Sequence, residues 1–186
     1  MNELHLQTED LRSITPQLHA GDRILLSGTV YTARAAAHKR LFALLDAGDP
    51  LPFPLQDAVI YYAGPTPTRP GESIGSCGPT TSGRMDPYAP RLLDLGLAAM
   101  IGKGARSQAV CDAICRNQGV YFCAVGGAGA LISSCILSAE EIAFPELGCE
   151  SIKRMMVKNL PLTVAVDCSG GNIFQTGRES FLQTKN

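Results

Sequence analysis

Short apolar runs alternate with helical patterns along most of this 186-residue chain. Each run is almost continuously hydrophobic, which is typical of strands buried on both faces. Between the runs, stretches rich in alanine and leucine carry apolar residues at helical spacing. The runs that predict strands are 23–28, 58–63, 97–101, 120–125 and 162–166.

Two helices are delimited by capping residues and glycines. A helix over 33–47 is rich in alanine and leucine and stops at Gly48. Asp86 is placed to cap a second helix over 85–96, which Gly96 closes. Polar caps before an apolar pattern and glycines after it are the expected signals for a helix start and stop.

The second half of the chain carries three further helix signals. Ser107 is placed to cap a helix that runs to residue 118. Ser138 and Glu141 have the spacing of a capping box. A short helix is predicted around 151–157, before the last strand.

The alternation of buried strands with helices predicts one α/β domain built on a largely parallel or mixed sheet. No repeat or linker divides the chain. We assign an N-terminal extension at 1–20, the domain at 21–175, and a polar, mobile tail at 176–186. The loop over 64–84 is longer than an ordinary connection, and loops of that length often carry function.

Composition narrows the classes of function. Hydrophobic residues make up 45% of the chain and charged residues 18%, with a net charge of −1. This balance indicates an ordinary globular protein and gives no electrostatic case for binding nucleic acid or a membrane surface. No apolar run has the length of a spanning helix, and the N-terminus lacks a signal-peptide pattern, so we predict a cytoplasmic protein.

The cysteines favour reduced thiols over a disulfide framework. There are seven, an odd number, and they are spread through apolar segments. Cys111 and Cys115 are four residues apart on a predicted helix, but no CxxC pair or nearby histidine completes a metal-ligand set. Cys77 is a weak candidate nucleophile because no feature designates a histidine to activate it. We therefore predict no metal site in this chain.

The segment from Gly75 to Asp86 reads GSCGPTTSGRMD and is the most informative in the chain. Its glycines, hydroxyls and one guanidinium precede a helix start, an arrangement that suits an anion. Loops of glycine and serine are often mere connectors. The adjacent Thr80 and Thr81, together with Arg84, favour a site.

Two arginines are candidates for holding a carboxylate, because a guanidinium can bind both carboxylate oxygens at once. Arg34, near the start of the predicted helix over 33–47, is either such a clamp or a solvated surface charge. Arg84 has the same two interpretations, and its glycine-rich surroundings favour the clamp. Two arginines converging on one pocket suit a dicarboxylate.

Hydroxyl, amine and imidazole groups complete the candidate set. Thr80 and Thr81 either make turn hydrogen bonds or contact a ligand, and a chemical role for threonine requires a charged, water-excluding setting. Lys103 either supplies that positive field or is an exposed turn lysine. His38 lies one helical turn beyond Arg34, and it either faces the ligand region or is a structural histidine.

The other glycine-rich segments leave a second class of function open. The segment 102–107 resembles a truncated dinucleotide loop, but no complete GxGxxG or GxxxxGK[ST] motif occurs. The glycines over 126–129 predict a tight turn that another backbone approaches closely. A non-catalytic anion- or nucleotide-binding module built on these loops is therefore the alternative function.

Together these motifs resemble the β subunit of two-subunit class I hydro-lyases, fumarase and L-tartrate dehydratase. They equally resemble the C-terminal domain of single-chain class I fumarases. The resemblance extends from about residue 21 to 175. The block Thr80-Thr81-Ser82-Gly83-Arg84 is its most specific part. The matching segments are 28–34, 37–38, 78–86, 102–104, 125–128, 145–148 and 166–167.

The resemblance implies a swivelling β/β/α-type domain of three layers with a mixed sheet. It implies reversible addition or removal of water on a C4 dicarboxylate. Malate and fumarate, as in the tricarboxylic acid cycle, are the first choice, and tartrate and oxaloacetate the second. It also implies a [4Fe–4S] cluster that a cluster-bearing α subunit ligates in an α2β2-type assembly. None of the seven cysteines of this chain would then be a cluster ligand.

Roles for five residues follow from the resemblance by motif position. It implies that Arg34 and Arg84 bind the substrate carboxylates and that Thr80 is the catalytic base. Thr81 would contact the substrate, and Lys103 would tune the site. Iron bound by the partner would then act on the leaving hydroxyl while the base removes a proton from the adjacent carbon.

Two further residues and one departure bear on this assignment. His38 and Asp86 lie within the same motifs and are possible supporting residues behind the site. Many relatives carry an acidic residue directly after the motif arginine, where this chain has Ala35. If that acid orients the arginine, the ligand geometry differs in this chain.

A third alternative for the function is a non-catalytic assembly partner. In that case the motif is retained, but the chain takes no part in turnover.

Overall fold

The computed structural model describes residues 3–177, which form one mixed sheet with helices packed against it. Seven strands make up the sheet, in the order β1-β2-β3-β4-β5-β7-β6. Their bounds are Leu4–Gln7 for β1, Arg23–Thr32 for β2, Val59–Tyr61 for β3, Ala99–Gly102 for β4, Val120–Cys123 for β5, Ile136–Ala143 for β6 and Ile152–Val166 for β7.

Within residues 3–177, five α-helices and four 3₁₀ segments connect the strands. The α-helices are Leu11–Ile14 (α1), Ala35–Ala47 (α2), Ala89–Asp94 (α3), Gln108–Arg116 (α4) and Gly129–Ser134 (α5). The 3₁₀ segments are Thr8–Asp10, Thr15–Gln17, Ser82–Met85 and Pro145–Glu150. The described chain ends in a helical turn at 173–177. No helix among the described residues has the length and hydrophobicity needed to cross a membrane.

The hydrogen-bonded ladders close into a ring of five strands. Strands β1 to β5 run parallel to their neighbours, whereas β7 is antiparallel to β2, β5 and β6. The long strand β7 pairs with β2 over most of its length and with β5 at its C-terminal end. The circuit β2-β3-β4-β5-β7 is therefore complete, with β1 and β6 added at its sides.

Two hydrophobic cores follow from the alternation of side chains along the parallel strands. Tyr61 and Phe122 belong to the core enclosed by the ring, which every strand of the ring lines. Their neighbours Tyr62 and Tyr121 belong to a second core, where the helices α2, α3 and α4 cover the sheet. The result is two strand layers and one helical layer. The predicted α/β fold with a mixed sheet is confirmed.

Several predicted helix signals are correct. Helix α2 ends at Ala47, and Gly48 follows in the left-handed conformation with φ 74°. Ser107 occupies the N-cap position of α4, although its side chain makes no capping hydrogen bond. Gly96, with φ 105°, ends the segment after α3. Glycine is favoured at these positions because it adopts positive φ without steric cost.

The predicted helix over 151–157 is wrong, because this segment is the first half of β7. A bulge explains the error. Asn159 has a φ of 52° and donates its backbone N–H to Ser27 Oγ at 3.0 Å, which breaks the alternation of buried positions. Pro161, inside the strand, also looks like an element boundary in the sequence.

The predicted capping box is also wrong. Ser138 and Glu141 both lie within β6, where they pair with Met156 and Lys153 of β7. Exposed polar side chains along an edge strand give little apolar alternation, so this strand has no clear signal in the sequence.

Part of the segment that precedes the predicted domain at 21–175 belongs to the fold. Within the extension at 1–20, β1 pairs parallel with β2, and Leu11 and Leu18 are buried. The boundary at residue 21 remains a prediction. Most of the predicted tail at 176–186 lies outside the described residues.

Candidate active site

The threonine motif is joined to the sheet at the carboxyl ends of β3 and β4. The N–H of Thr80 donates to the carbonyl of Tyr62 at 2.7 Å, and the N–H of Lys103 donates to the carbonyl of Thr80 at 3.2 Å. The N–H of Ser82 then donates to the carbonyl of Lys103 at 2.9 Å. Thr81 and Lys103 therefore face each other in a short parallel bridge.

The Lys103 side chain runs over a glycine that follows β5. A Cβ placed on Gly126 would lie 3.5 Å from Cδ and 3.8 Å from Nζ of Lys103. The predicted close approach of a second backbone occurs at Gly129, where a Cβ would lie 3.0 Å from the backbone N of Gly78. The glycines of both loops thus allow the motif and the turn after β5 to pack together.

Arg84 lies on the short 3₁₀ segment Ser82–Met85 and is exposed. The segment is anchored by its buried ends, Ser82 and Met85. Ser82 Oγ lies 2.8 Å from Tyr121 Oη, and a Cβ on Gly102 would collide with Ser82 Oγ. Burial of the two anchors directs the intervening arginine outwards.

The cations of the motif are unpaired within the part of the chain that the structure describes. Neither Arg84 nor Lys103 forms an ion pair there, and both are exposed. Thr81 is also exposed, while Thr80 is half-buried. The result is a surface with two free cations and two neighbouring hydroxyls, which is suited to an anionic ligand.

Arg34 is positioned by the end of β2 and the start of α2, where it is the N-cap residue. Its side chain packs on Gly64, where a Cβ would lie 2.9 Å from Cδ of Arg34. The segment that follows β3 thus connects both candidate regions, because Tyr62 bonds Thr80 and Gly64 contacts Arg34. No hydrogen bond or ion pair joins Arg34 to Thr80 or Arg84 among the described residues.

Arg34 has an anionic partner that is distant in sequence. Its Nη2 lies 3.4 Å from Oε1 of Glu150, and both side chains are 24% exposed. The other oxygen of Glu150 accepts the N–H of Ala36 at 2.9 Å. The Sγ of Cys149 lies 4.0 Å from Nη1 of Arg34.

His38 is fully buried beneath Arg34. Its Nδ1 lies 2.8 Å from the carbonyl oxygen of Arg34, so Nδ1 carries the proton in this bond. Among the described residues Nε2 has no hydrogen-bond partner. Burial is the main cause that lowers the pKa of His38 from 6.5 to about 4, with a smaller contribution from Arg106. The imidazole is therefore neutral at physiological pH and supports the backbone at Arg34.

The sequence predicted that Asp86 caps the helix that follows it, and this prediction is wrong. That segment divides into Ser82–Met85 and α3, and α3 begins after Tyr88. Instead, Oδ2 of Asp86 accepts the N–H of Ser107 at 2.7 Å, at the start of α4. Its Oδ1 accepts Nε–H of Arg106 at 2.7 Å.

Arg106 is the main residue of this region that the sequence did not reveal. Its side chain is fully buried and lies between the rings of Tyr62 and Tyr121, with centroid distances of 5.3 and 4.9 Å. Desolvation lowers its pKa, but neighbouring groups, Asp86 among them, outweigh that effect and raise it overall. An arginine in a glycine-rich turn looks exposed in the sequence, and no local signal indicates its burial.

Cys77 is unsuited to nucleophilic chemistry in this fold. Its side chain is fully buried in the ring-enclosed core, and burial raises the pKa of its thiol to about 12. Its carbonyl accepts the hydroxyl of Tyr61 at 2.7 Å. The thiol is therefore a packing group.

Comparison with known proteins identifies the family. The model for the fumarase C-terminus matches residues 1–177, and the chain belongs to this family. It is 39% identical over 175 residues to the anaerobic class I fumarate hydratase of Escherichia coli, covering 93% of this chain and 32% of that protein. It is 35% identical over 185 residues to fumarate hydratase 2 of Leishmania major, covering 92% of this chain and 33% of that protein.

A relative of similar length is the putative L(+)-tartrate dehydratase subunit beta of Methanocaldococcus jannaschii. It is 34% identical over 165 residues, covering 86% of this chain and 85% of that protein. The chain spans about a third of the length of the fumarate hydratases it matches. The resemblance read from the motifs is confirmed, and it places the chain in a family of hydro-lyases.

Proposed function

We propose that this chain is the β subunit of a hydro-lyase that adds water to, or removes water from, a C4 dicarboxylate. One observation carries the proposal. The backbone bridge between Thr81 and Lys103 places the half-buried Thr80, the exposed Thr81 and two cations that form no ion pair among the described residues next to one another at the carboxyl ends of β3 and β4. Membership of a family that includes fumarate hydratases supports the same conclusion.

In this proposal Thr80 is the base that removes a proton from the carbon next to the leaving hydroxyl. A threonine hydroxyl is a poor base in water, so its alkoxide requires a positive field. We assign that field to Lys103, because it lies in the bridge beside the motif and its amine forms no ion pair among the described residues.

The arginines bind the substrate and stabilise developing charge. Arg84 and Arg34 each hold one carboxylate through parallel N–H donors. The cations of the threonine motif, Arg84 and Lys103, favour the enolate-like charge that develops when the proton leaves. Thr81, exposed beside Thr80, contacts the substrate and fixes the position of the reacting carbon.

A [4Fe–4S] cluster belongs to the proposal, but the residues of this chain do not fit its ligand set. Cys77 is buried in one core, Cys111 lies on α4 against the other, and Cys149 is exposed beside Arg34. No group of three or more metal-binding side chains is found within residues 3–177. We therefore assign the cluster to the partner.

The partner in this proposal is a cluster-bearing α subunit, and the assembly is of the α2β2 type. The exposure of Thr81, Arg84 and Lys103 supports this, because a water-excluding site requires a second surface to cover them. The subunit name of the M. jannaschii relative supports a two-chain enzyme. We also propose a cytoplasmic location, because the odd number of cysteines favours reduced thiols over a disulfide framework.

The substrate is proposed as malate and fumarate, with tartrate and oxaloacetate as the next choice. Both pairs present the carboxylates that the two arginines would bind. The greater number of fumarate hydratases among the relatives supports the first pair.

The proposal is tested with the complex of this chain and its cluster-bearing partner, assayed anaerobically with malate, fumarate and L-tartrate. Thr80→Ala is expected to lower kcat by about a hundredfold or more, the usual contribution of a general base. Thr68→Ala, at an exposed position of the loop over 64–84, is the matched control and is expected to leave kcat unchanged.

Unchanged turnover in Thr80→Ala would eliminate the proposed base. A complex without activity on any of the three substrates contradicts the proposed function. Thermal shift of the isolated chain with a nucleotide addresses the alternative, and tight nucleotide binding there would favour a binding module over a catalytic subunit.

A further inference from the structure

Glu150 bridges the guanidinium of Arg34 and the first turn of α2. One carboxylate oxygen faces Nη2 of Arg34 at 3.4 Å, and the other accepts the N–H of Ala36 at 2.9 Å. A carboxylate is favourable at this place because the N–H groups of a helix start are unpaired and carry partial positive charge. Glu150 is thus fixed on one side by backbone, which leaves its other oxygen for Arg34.

The segment that carries Glu150 is itself anchored to the sheet. The next residue, Ser151, is buried, and its carbonyl accepts the hydroxyl of Thr32 at 3.3 Å. The oxygen of that hydroxyl accepts the N–H of Lys153 at 2.9 Å. Thr32 is fully buried at the end of β2, two residues before Arg34. Glu150 and Arg34 therefore extend from neighbouring points of one rigid ladder.

We propose that Glu150 is the positioning residue that orients Arg34 to receive one carboxylate of the substrate. This inference rests on the proposed function. An arginine has five N–H donors, and a single contact to Glu150 leaves most of them for a ligand. Ala35 has no carboxylate to offer, so the anion against Arg34 comes from Glu150.

Orientation matters because a long, rotatable side chain otherwise loses conformational freedom when it binds. Packing on Gly64 restricts the stem of Arg34, and Glu150 restricts its head group. The restraint is present before the ligand arrives, so it strengthens binding of the dicarboxylate in the ground state and the transition state alike. The effect of losing it is therefore expected in KM more than in kcat.

Glu150→Gln in the reconstituted complex is the direct test. The amide oxygen keeps the hydrogen bond to the N–H of Ala36, while the charge that attracts Arg34 is lost. We expect KM for malate to rise about tenfold and kcat to change by less than about threefold. The inhibition constant of succinate, which has both carboxylates and no leaving hydroxyl, should rise by the same factor.

Glu146→Gln is the matched control. Glu146 lies on the same 3₁₀ segment and pairs with Arg40 of the same helix α2 at 2.8 Å, with both side chains about half exposed. The control removes a second ion pair between the same two elements without touching Arg34. KM and the succinate inhibition constant should remain those of the wild type.

A double-mutant cycle separates positioning from a general effect on folding. In an Arg34→Met background, the substitution Glu150→Gln should change KM by less than about twofold, because the cation that Glu150 orients is already absent. An equal tenfold effect in both backgrounds would overturn the inference, as would an unchanged KM in Glu150→Gln. Failure of the wild-type complex to act on any dicarboxylate is a different outcome, since it contradicts the proposed function itself.

Discussion

Nε of Arg106 lies 2.7 Å from Oδ1 of Asp86, and the arginine side chain has no exposed surface. This ion pair joins the end of the threonine motif to the loop that carries Lys103. Ser82 reinforces the junction, because its hydroxyl donates to Oη of Tyr121 at 2.8 Å and the hydroxyl of Tyr121 donates to the carbonyl of Gly104 at 2.9 Å. The positions of Thr80 and Lys103 relative to each other therefore depend on a buried polar network beneath them.

Replacing Arg106 with methionine should destabilise the fold. The substitution leaves Asp86, 15% exposed, without its cationic partner, and breaking a buried pair by removing one member costs about 3–5 kcal/mol. We expect the free energy of unfolding of the isolated chain, measured with urea, to fall by about 3 kcal/mol.

Arg116→Met is the control for this prediction. Arg116 makes a two-point contact with Asp94 at 2.8 Å, but about half of each side chain is exposed. Solvent screening makes such surface pairs weak, so no measurable shift of the urea midpoint is expected. Equal shifts for the two variants would show that the buried pair contributes no more than a surface pair.

The stability of the chain should fall as the pH is lowered through the range in which His38 would titrate in the unfolded state. Burial keeps the pKa of His38 at about 4 in the fold, below the 6.5 of the unfolded chain. The unfolded state then binds more protons between these values, so stability decreases from about pH 6.5 towards about pH 4. Between about pH 7 and pH 5 the loss from this residue is about 2 kcal/mol.

Urea unfolding at both pH values, in the wild type and in His38→Gln, measures this contribution. The glutamine does not titrate and keeps a donor for the carbonyl of Arg34, so its variant should lose less stability on acidification. His5→Gln, at an exposed position of β1, should behave like the wild type. The same pH dependence in wild type and His38→Gln would contradict the neutral, buried imidazole.

The cysteines should differ sharply in their reactivity with iodoacetamide. Cys149 is exposed, whereas Cys77 is fully buried with its pKa raised to about 12 by desolvation. Mass spectrometry of the folded chain should find rapid modification at Cys149 and none at Cys77, and denaturation with urea should make both react. Rapid labelling of Cys77 in the folded chain would return it to the list of candidate nucleophiles.

The sequence predicted the central strands well because burial on both faces gives continuous apolar runs. β3, β4 and β5 all lie within or next to their predicted ranges. Strand β7 was only partly recognised, since the bulge at Asn159 and the proline at 161 interrupt its pattern. Neither β1 nor β6 was predicted, because a four-residue strand and a polar edge strand give weak alternation.

Prediction of the candidate site was limited by distance along the chain. Thr80, Thr81 and Arg84 lie in one contiguous motif, so local spacing was enough to select them. Arg106 and Glu150 were not selected. The burial of Arg106 depends on aromatic rings from two strands, and the contact of Glu150 with Arg34 spans 116 positions of the sequence, 150 minus 34. Such contacts exist only after the sheet has formed.

The last prediction concerns the geometry that Arg84 supplies to the proposed complex. Arg84→Lys retains the positive charge but removes the planar fork that matches both oxygens of a carboxylate. One charge-assisted hydrogen bond contributes about 1.5–3 kcal/mol, so kcat/KM for malate should fall by about ten- to a hundredfold. The melting temperature of the isolated chain should not change, because Arg84 is exposed and forms no ion pair among the described residues.

Arg91→Lys provides the matched control for Arg84→Lys. Arg91 is exposed on α3, pairs with Asp46 at 2.6 Å, and has no place in the proposed site. Steady-state assays of both variants in the complex should show whether kcat/KM falls for any exposed arginine that is replaced by lysine, or only for Arg84. If Arg84→Lys retains full kcat/KM, charge alone is sufficient there, and a carboxylate clamp at this position is excluded. If both variants lose activity equally, the effect arises from assembly or folding instead of from contact with the substrate.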